Sequence, residues 1–278
     1  MCTLTWSFRT DGYDLVFNRD ELKSRLPAHP PKIFNDRHPG KRAGRYVAPV
    51  DADAGGYWLA VNQHGVTVCL LNNYSAQIAG GDKGDAYYTS RGEIVRALAH
   101  SISTVSAADS LMALPLERFR GFKVVVFADS VSADSRIASY VWDTHALQSL
   151  PAAQLSMPVS SSSISEPEIL RRRADAFAAL GPDPDIDQLV AFQSSHIDER
   201  PTEDPVSGSL QAAGSSAAGE PSIKAEGSVC MHRSYAHTVS QCLVTVQPAR
   251  VSLRYTDGPP CRTQPLPAVS LDRICAQG

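Results

Sequence analysis

The 278-residue sequence contains no Cys-x-x-Cys pair, which speaks against thioredoxin-type redox chemistry and ordinary zinc ribbons. It has no apolar run near the roughly 18 residues of a membrane span. No basic stripe stands out, and the net charge is −3, so a nucleic-acid partner is not expected. The opening MCTLTWSFRTDGYD lacks the basic lead and apolar core of a secretory leader, so a cytoplasmic location is expected. No repeat period is visible. What remains is ordinary globular composition, 43% hydrophobic and 20% charged. A chain of this length can bury a sizeable core without staples.

Strands dominate the first third. Cys2, Leu4, Trp6 and Phe8 alternate with Thr3, Thr5 and Ser7, a period-two strand with one apolar face. Thr10-Asp11-Gly12 is a turn signal, and 13–18 is the return strand. If Arg9 pairs with Tyr13, Cys2 lies opposite Asp20. Residues 23–54, rich in Pro, Arg, Lys and His, read as irregular loop. Strands at 57–61 and 66–71 flank the turn Asn62-Gln63-His64-Gly65. Ser90-x-x-Glu93 reads as a capping box for a helix over 91–102, and another is expected near 107–114. A hairpin follows at 122–128 and 137–142. Helices are predicted over 166–180, capped from Ser165, and over 186–194. Residues 200–228 are rich in Pro, Gly, Ser and Ala and read as a flexible segment inside one domain, 1–278. A last hairpin, 237–246 with 251–255, is expected to return to the first sheet. Antiparallel hairpins with segregated helices make the fold class α+β.

Cys2 carries the chemistry. Residue 2 is small, so removal of Met1 is expected, leaving a thiol nucleophile and an α-amine base on one residue. Arg19 is placed to favour the thiolate. Asp20 is placed to hold the amine or the guanidinium. Asn72 or Asn73, at a strand end, can supply an amide to a developing oxyanion. Trp6 stands near enough to wall an acyl pocket, and Asn18 and Glu21 flank the same segment as substrate contacts.

These residues also carry a resemblance. MCTLTW and Val16-Phe17-Asn18-Arg19-Asp20-Glu21 resemble the opening of the NRDE family, the group that includes the transport and Golgi organisation protein two of animals. Gly55-Gly56-Tyr57-Trp58-Leu59-Ala60, Gly65, Asn72-Asn73-Tyr74, Ser90-Arg91-Gly92-Glu93 and Gly121-Phe122 continue it, closely in the first half of the chain and loosely in the second. More widely, the chain resembles N-terminal-nucleophile hydrolases of the choloylglycine hydrolase and penicillin V acylase kind. That resemblance implies a four-layer αββα sandwich of antiparallel sheets and hydrolysis or transfer of an amide-linked acyl group. It implies Arg19 as the family's strand-end Arg and Arg233, or His237 in its place, as the late substrate contact. Leu22 stands where those hydrolases carry an Asp, and Ser161-Ser162-Ser163 where they carry a second Asn.

The expected function is an N-terminal-cysteine amidohydrolase or acyltransferase acting on a small acyl amide. The alternative is a non-enzymatic carrier or trafficking factor for haem, lipid or acyl-CoA; a structural adaptor is a third, weaker reading. No cofactor is expected, and haem enters only as a candidate ligand through the resemblance. Cys230, His232, His237 and Cys242 are soft-ligand types close in sequence, read as structural cysteines and surface histidines, so no metal is expected. Arg171-Arg172-Arg173 reads as a solvated helix face.

Overall fold

The computed structural model describes residues 1–35, 44–79, 84, 87–130, 135–164, 166–197 and 227–274. Two antiparallel sheets pack face to face. Strands β1 (Cys2–Arg9), β2 (Gly12–Leu22), β3 (His29–Phe34), β4 (Tyr46–Val50), β5 (Leu59–Asn62) and β6 (Val66–Asn72) come first. Helices α1 (Tyr74–Ala79), α2 (Gly92–Leu98) and α3 (Thr104–Met112) precede β7 (Phe122–Ala128), β8 (Ile137–Trp142), β9 (Leu147–Leu150) and β10 (Val159–Ser161). Then come α4 (Glu166–Ala178), α5 (Ile186–Ser194), β11 (Ala236–Val246), β12 (Arg250–Thr256) and β13 (Val269–Asp272). The first sheet runs β10-β1-β2-β11-β12-β13 and the second β3-β4-β5-β6-β7-β8-β9.

Alternation along the strands builds the layers. Leu4, Trp6 and Phe17 meet Leu59, Val61, Val125 and Phe127 between the sheets. The other face of the second sheet, with Val68, Val124 and Val126, is covered by Ile94, Leu98, Ala107 and Leu111 from α2 and α3. Val16 and Leu243, on the far face of the first sheet, pack on Phe177, Leu189 and Phe192 from α4 and α5. The result is helices, sheet, sheet, helices.

The predicted β7–β8 hairpin and the α5 bounds agree with the structure, and the last hairpin does return to the first sheet, beside β2. The stretch 23–54 is not irregular: it holds β3 and β4. Pro30 and Pro31 obscure β3, but it is an edge strand with a register break, where missing N–H donors cost little. The short β9, β10 and β13 carry too few residues for a visible period.

The Ser90 capping box does not form. Helix α2 starts at Gly92 with no side-chain cap, and Glu93 pairs with Arg96 instead. Helix α3 starts earlier than expected, with Ser103 and Ser106 making the box. Ser165, most of the glycine-rich loop at 80–84, and 200–226 of the expected flexible segment lie outside the described residues; Gly227 and Ser228 are buried. The basic run divides. Arg171 and Arg172 pair with Asp175 and Glu168 on the exposed face, while Arg173 is fully buried on the stripe it shares with Ile169 and Phe177.

The first hairpin has the shift of greatest consequence. Arg9 pairs with Gly12, across a two-residue turn, so Cys2 faces Arg19 and not Asp20. Gly12 is needed there because a Cβ would lie 2.0 Å from the Val246 carbonyl oxygen. In a strand, one residue of slip exchanges the two faces.

Candidate active site

Cys2 and Arg19 are paired residues on neighbouring strands, and both side chains enter the space between the sheets at its open end. There they line a cleft of about 540 Å³ with Asp51, Trp58, Asn72, Tyr74 and Arg91. The Arg19 guanidinium lies 4.4 Å from the centre of the Trp58 ring. Its Nη2 is 2.5 Å from Asp51 Oδ2 and 3.3 Å from Glu21 Oε1. Arg25 holds Asp51 from the other side, with Nη2 2.8 Å from each carboxylate oxygen, and its Nε is 3.0 Å from Asp53. The Asp53 and Ala54 amides donate to Asp51 Oδ1. Arg19 is therefore fixed in place by Asp51 and Trp58, which flank strands of the second sheet, and by Glu21 from its own strand.

The cleft's far rim depends on two glycines. A Cβ at Gly92 would come within 2.6 Å of Gly56 Cα and the Tyr57 nitrogen, and Tyr57 N–H donates to the Gly92 carbonyl. This contact joins Gly55-Gly56-Tyr57-Trp58 to Ser90-Arg91-Gly92-Glu93 and sets Arg91 at the cleft. Arg91 donates to the Gly121 carbonyl at 3.0 Å. Burial, with Arg120 beside it, lowers its pKa.

The Met1 amine is buried. It donates to the Asp20 carbonyl oxygen at 2.9 Å and to the Tyr74 hydroxyl at 3.3 Å. Asn72 Nδ2 donates to the same hydroxyl at 2.8 Å. Burial would lower the amine's pKa, but Cys2, Tyr74, Asp20 and Glu21 together raise it to about 10. Burial pushes the Cys2 thiol up to about 11, and the Met1 amine and Arg19 oppose that rise. With Met1 in place the thiol is neutral at ordinary pH.

Of the expected site residues, Cys2, Arg19, Glu21 and Asn72 meet in the cleft. Five others do not join it, and Asp20 contributes only its carbonyl. The Asp20 side chain points to the helices, where Thr238 Oγ1 donates to Oδ1 at 2.6 Å and Arg173 stands 3.8 Å from Oδ2. Asn18 shares that face: it donates to the Gln193 carbonyl at 2.6 Å and accepts from Gln241 at 3.1 Å. Asn73 points away and donates to the Trp142 carbonyl, which separates it from Asn72. Trp6 is core, 5.3 Å from the Phe127 ring. Arg233 lies behind Met1, with Nη1 3.6 Å from Met1 Sδ and 3.3 Å from the Tyr235 hydroxyl. His237 pairs with Glu21 across β2 but does not line the cleft.

Leu22, at the expected Asp position, is half exposed on the cleft rim. Ser161 pairs with Cys2 from the β10 side, and Ser163 lines the cleft. Asp51 and Arg25 were hidden in the stretch read as loop. Their only signal was the acid pair Asp51-Ala52-Asp53 just before Gly55-Gly56. A larger recess of about 630 Å³, lined by Arg9, Ile186, Val190, Gln241 and Arg254 among others, lies on the helix side and has no cysteine in its lining.

Residues 1–172, more than half of the chain, match the family described as Transport and Golgi organisation 2. The chain belongs to that family. The match runs from β1 into α4, so it includes Cys2, Arg19, Asp51, Asn72 and Arg91. Strands β11 to β13, which complete the first sheet, follow the matched region. No curated protein matches the chain. No helix among the described residues is long and apolar enough to cross a membrane.

Proposed function

We propose that this chain is an N-terminal-cysteine amidohydrolase or acyltransferase of the N-terminal-nucleophile type. The observation that carries the proposal is the placement of Cys2 and Arg19 as paired residues at the floor of one cleft, with Asn72 on its wall. Removal of Met1 during synthesis transfers the free amine to Cys2 itself. That amine takes the thiol proton, directly or through one water, and the thiolate attacks the acyl carbonyl. Arg19, held by Asp51, favours the thiolate. The Asn72 amide turns from Tyr74 to the oxyanion. As the C–N bond breaks, the α-ammonium returns its proton to the leaving amine. Water or a second amine then attacks the thioester and frees Cys2. The role first expected of the Asp20 carboxylate falls to two other groups: Asp51 orients the guanidinium, and the Asp20 carbonyl stands at the amine end of β1. Arg91 and Arg120, both on the cleft, suit an acyl amide that carries a carboxylate.

The test is turnover of carboxylate-bearing acyl amides by untagged protein whose intact mass shows the loss of one methionine. Cys2→Ala should reduce turnover by about 10³-fold or more. Full turnover by Cys2→Ala would end the proposal.

A second reading is favoured by the state of the thiol when Met1 is retained. The amine is then spent on Asp20 and Tyr74, the thiol stays protonated, and the cleft is a binding volume of ordinary small-molecule size. That form suits a carrier of haem, lipid or acyl-CoA. It predicts a mass that includes Met1, ligand binding retained in Cys2→Ala, and no turnover.

A further inference from the structure

Away from the cleft, four soft-ligand side chains converge from segments far apart in sequence. His196 follows α5, Cys230 and His232 precede β11, and Cys261 follows β12. Their candidate ligand atoms all lie within 4.8 Å of one another. Cys230 Sγ is 3.6 Å from His232 Nε2, and that nitrogen is 3.2 Å from Cys261 Sγ. Around a tetrahedral zinc ion with ordinary bond lengths, a sulfur–nitrogen edge is about 3.6 Å and a sulfur–sulfur edge about 3.8 Å. The first measured edge matches, and the second needs to lengthen by about 0.4 Å. The widest separation needs to shrink by about 1 Å, within reach of side-chain rotation, since three of the four residues are exposed.

We propose that His196, Cys230, His232 and Cys261 bind one zinc ion in a closed, four-coordinate structural site. Two thiolates and two neutral imidazoles match the charge and softness of Zn²⁺. The backbone already supports the arrangement. Cys230 N–H donates to the Ser195 carbonyl at 3.0 Å, which places Cys230 beside His196. Arg262 and Thr263 N–H groups both donate to the Pro259 carbonyl, a tight turn that presents Cys261. The sequence pairing of Cys230 and His232 with His237 and Cys242 is not the one that forms: Cys242 is core between the sheets, and His196 and Cys261 take the other two places.

The site has a structural consequence. Cys230 and His232 sit on one side of their segment, and Met231 lies between them. Met231 is buried against Met1 and Ala236, and Arg233 approaches Met1 Sδ. A metal at Cys230 and His232 would fix the wall behind Met1 and the first residues of β11.

The test uses the full chain, without a histidine tag, purified under reducing conditions. Elemental analysis should give one zinc per chain. After chelation, Co²⁺ should restore a thiolate charge-transfer band and the visible bands of tetrahedral cobalt. Cys230→Ser should abolish the charge-transfer signal of that ligand, or the fold with it. His196→Asn and Cys261→Ser change exposed residues, so the chain should stay folded by circular dichroism and lose zinc affinity by about tenfold or more. Three results would overturn the proposal: no thiolate–cobalt band, affinity unchanged in both exposed variants, or a Cys230–Cys261 disulfide in the reduced protein in place of metal.

Discussion

The two faces of β2 make opposite use of one short motif. Asn18 and Asp20 point to the helices, Arg19 and Glu21 to the cleft. On the helix face the polar groups are buried among fixed partners, although Asp20 Oδ2 and Gln193 Oε1 accept no hydrogen bond. Arg173 Nη1 donates to Thr3 Oγ1 at 2.5 Å and Nη2 to the Ser228 carbonyl at 2.8 Å, while Gln193 donates to Thr3, Thr5 and Val16. On the cleft face the groups are held from one side only, and Cys2, Arg19 and Asn72 border open space. A run of four polar residues thus encodes two things at once. Its even members tie the first sheet to α4 and α5, and its odd members furnish the site. Substitution at either pair can end activity, but only the even pair should end folding.

The comparison breaks most visibly at Asp20→Ala. This leaves the Arg173 guanidinium, fully buried, without its carboxylate, at a cost of about 3–5 kcal/mol. Urea unfolding measures it, and a loss below about 1 kcal/mol would show that the helix face does not depend on the pair. An effect of similar size belongs to pH in the form that keeps Met1. The Met1 amine binds its proton more tightly in the folded chain, with a pKa raised from 8.0 to about 10, and the Cys2 thiol likewise, from 9.0 to about 11. The stability these shifts supply is complete below pH 8 and is lost as pH rises toward 11, by about 3 kcal/mol per group. Denaturation between pH 8 and 11 should show this decline, and Cys2→Ala should remove the thiol's share of it. The smallest effect is expected at Arg25→Ala. Arg25 is partly exposed, and Asp51 keeps Arg19, so stability should fall by less than about 1 kcal/mol in the same unfolding assay.

Much of the frame was legible because local patterns survive packing. The alternation in 2–8 placed β1, the turn residues placed its hairpin, and the apolar run 122–128 found its partner 137–142. Of the strands that escaped notice, β3 carries proline at an edge, β4 is a five-residue strand with Pro49 inside it, and the others are only three or four residues long. In the site, Cys2 and Arg19 could be named from the first hairpin, and the oxyanion amide could be narrowed to Asn72 or Asn73 at a strand end. Asp51, Arg25 and the His196–Cys261 cluster could not, because their meaning depends on neighbours far along the chain.

By itself the sequence determined which segments alternate, where the first hairpin turns, and that Cys2 and an Arg-Asp pair lie at the same end of it. Only the tertiary structure decided which of that pair faces the thiol. The register follows from the two-residue turn between Arg9 and Gly12, and Gly12 fits there against the Val246 carbonyl of β11, more than 230 residues away in sequence. Because side chains alternate strictly along a strand, that register assigns Arg19 to the cleft and Asp20 to the helix face.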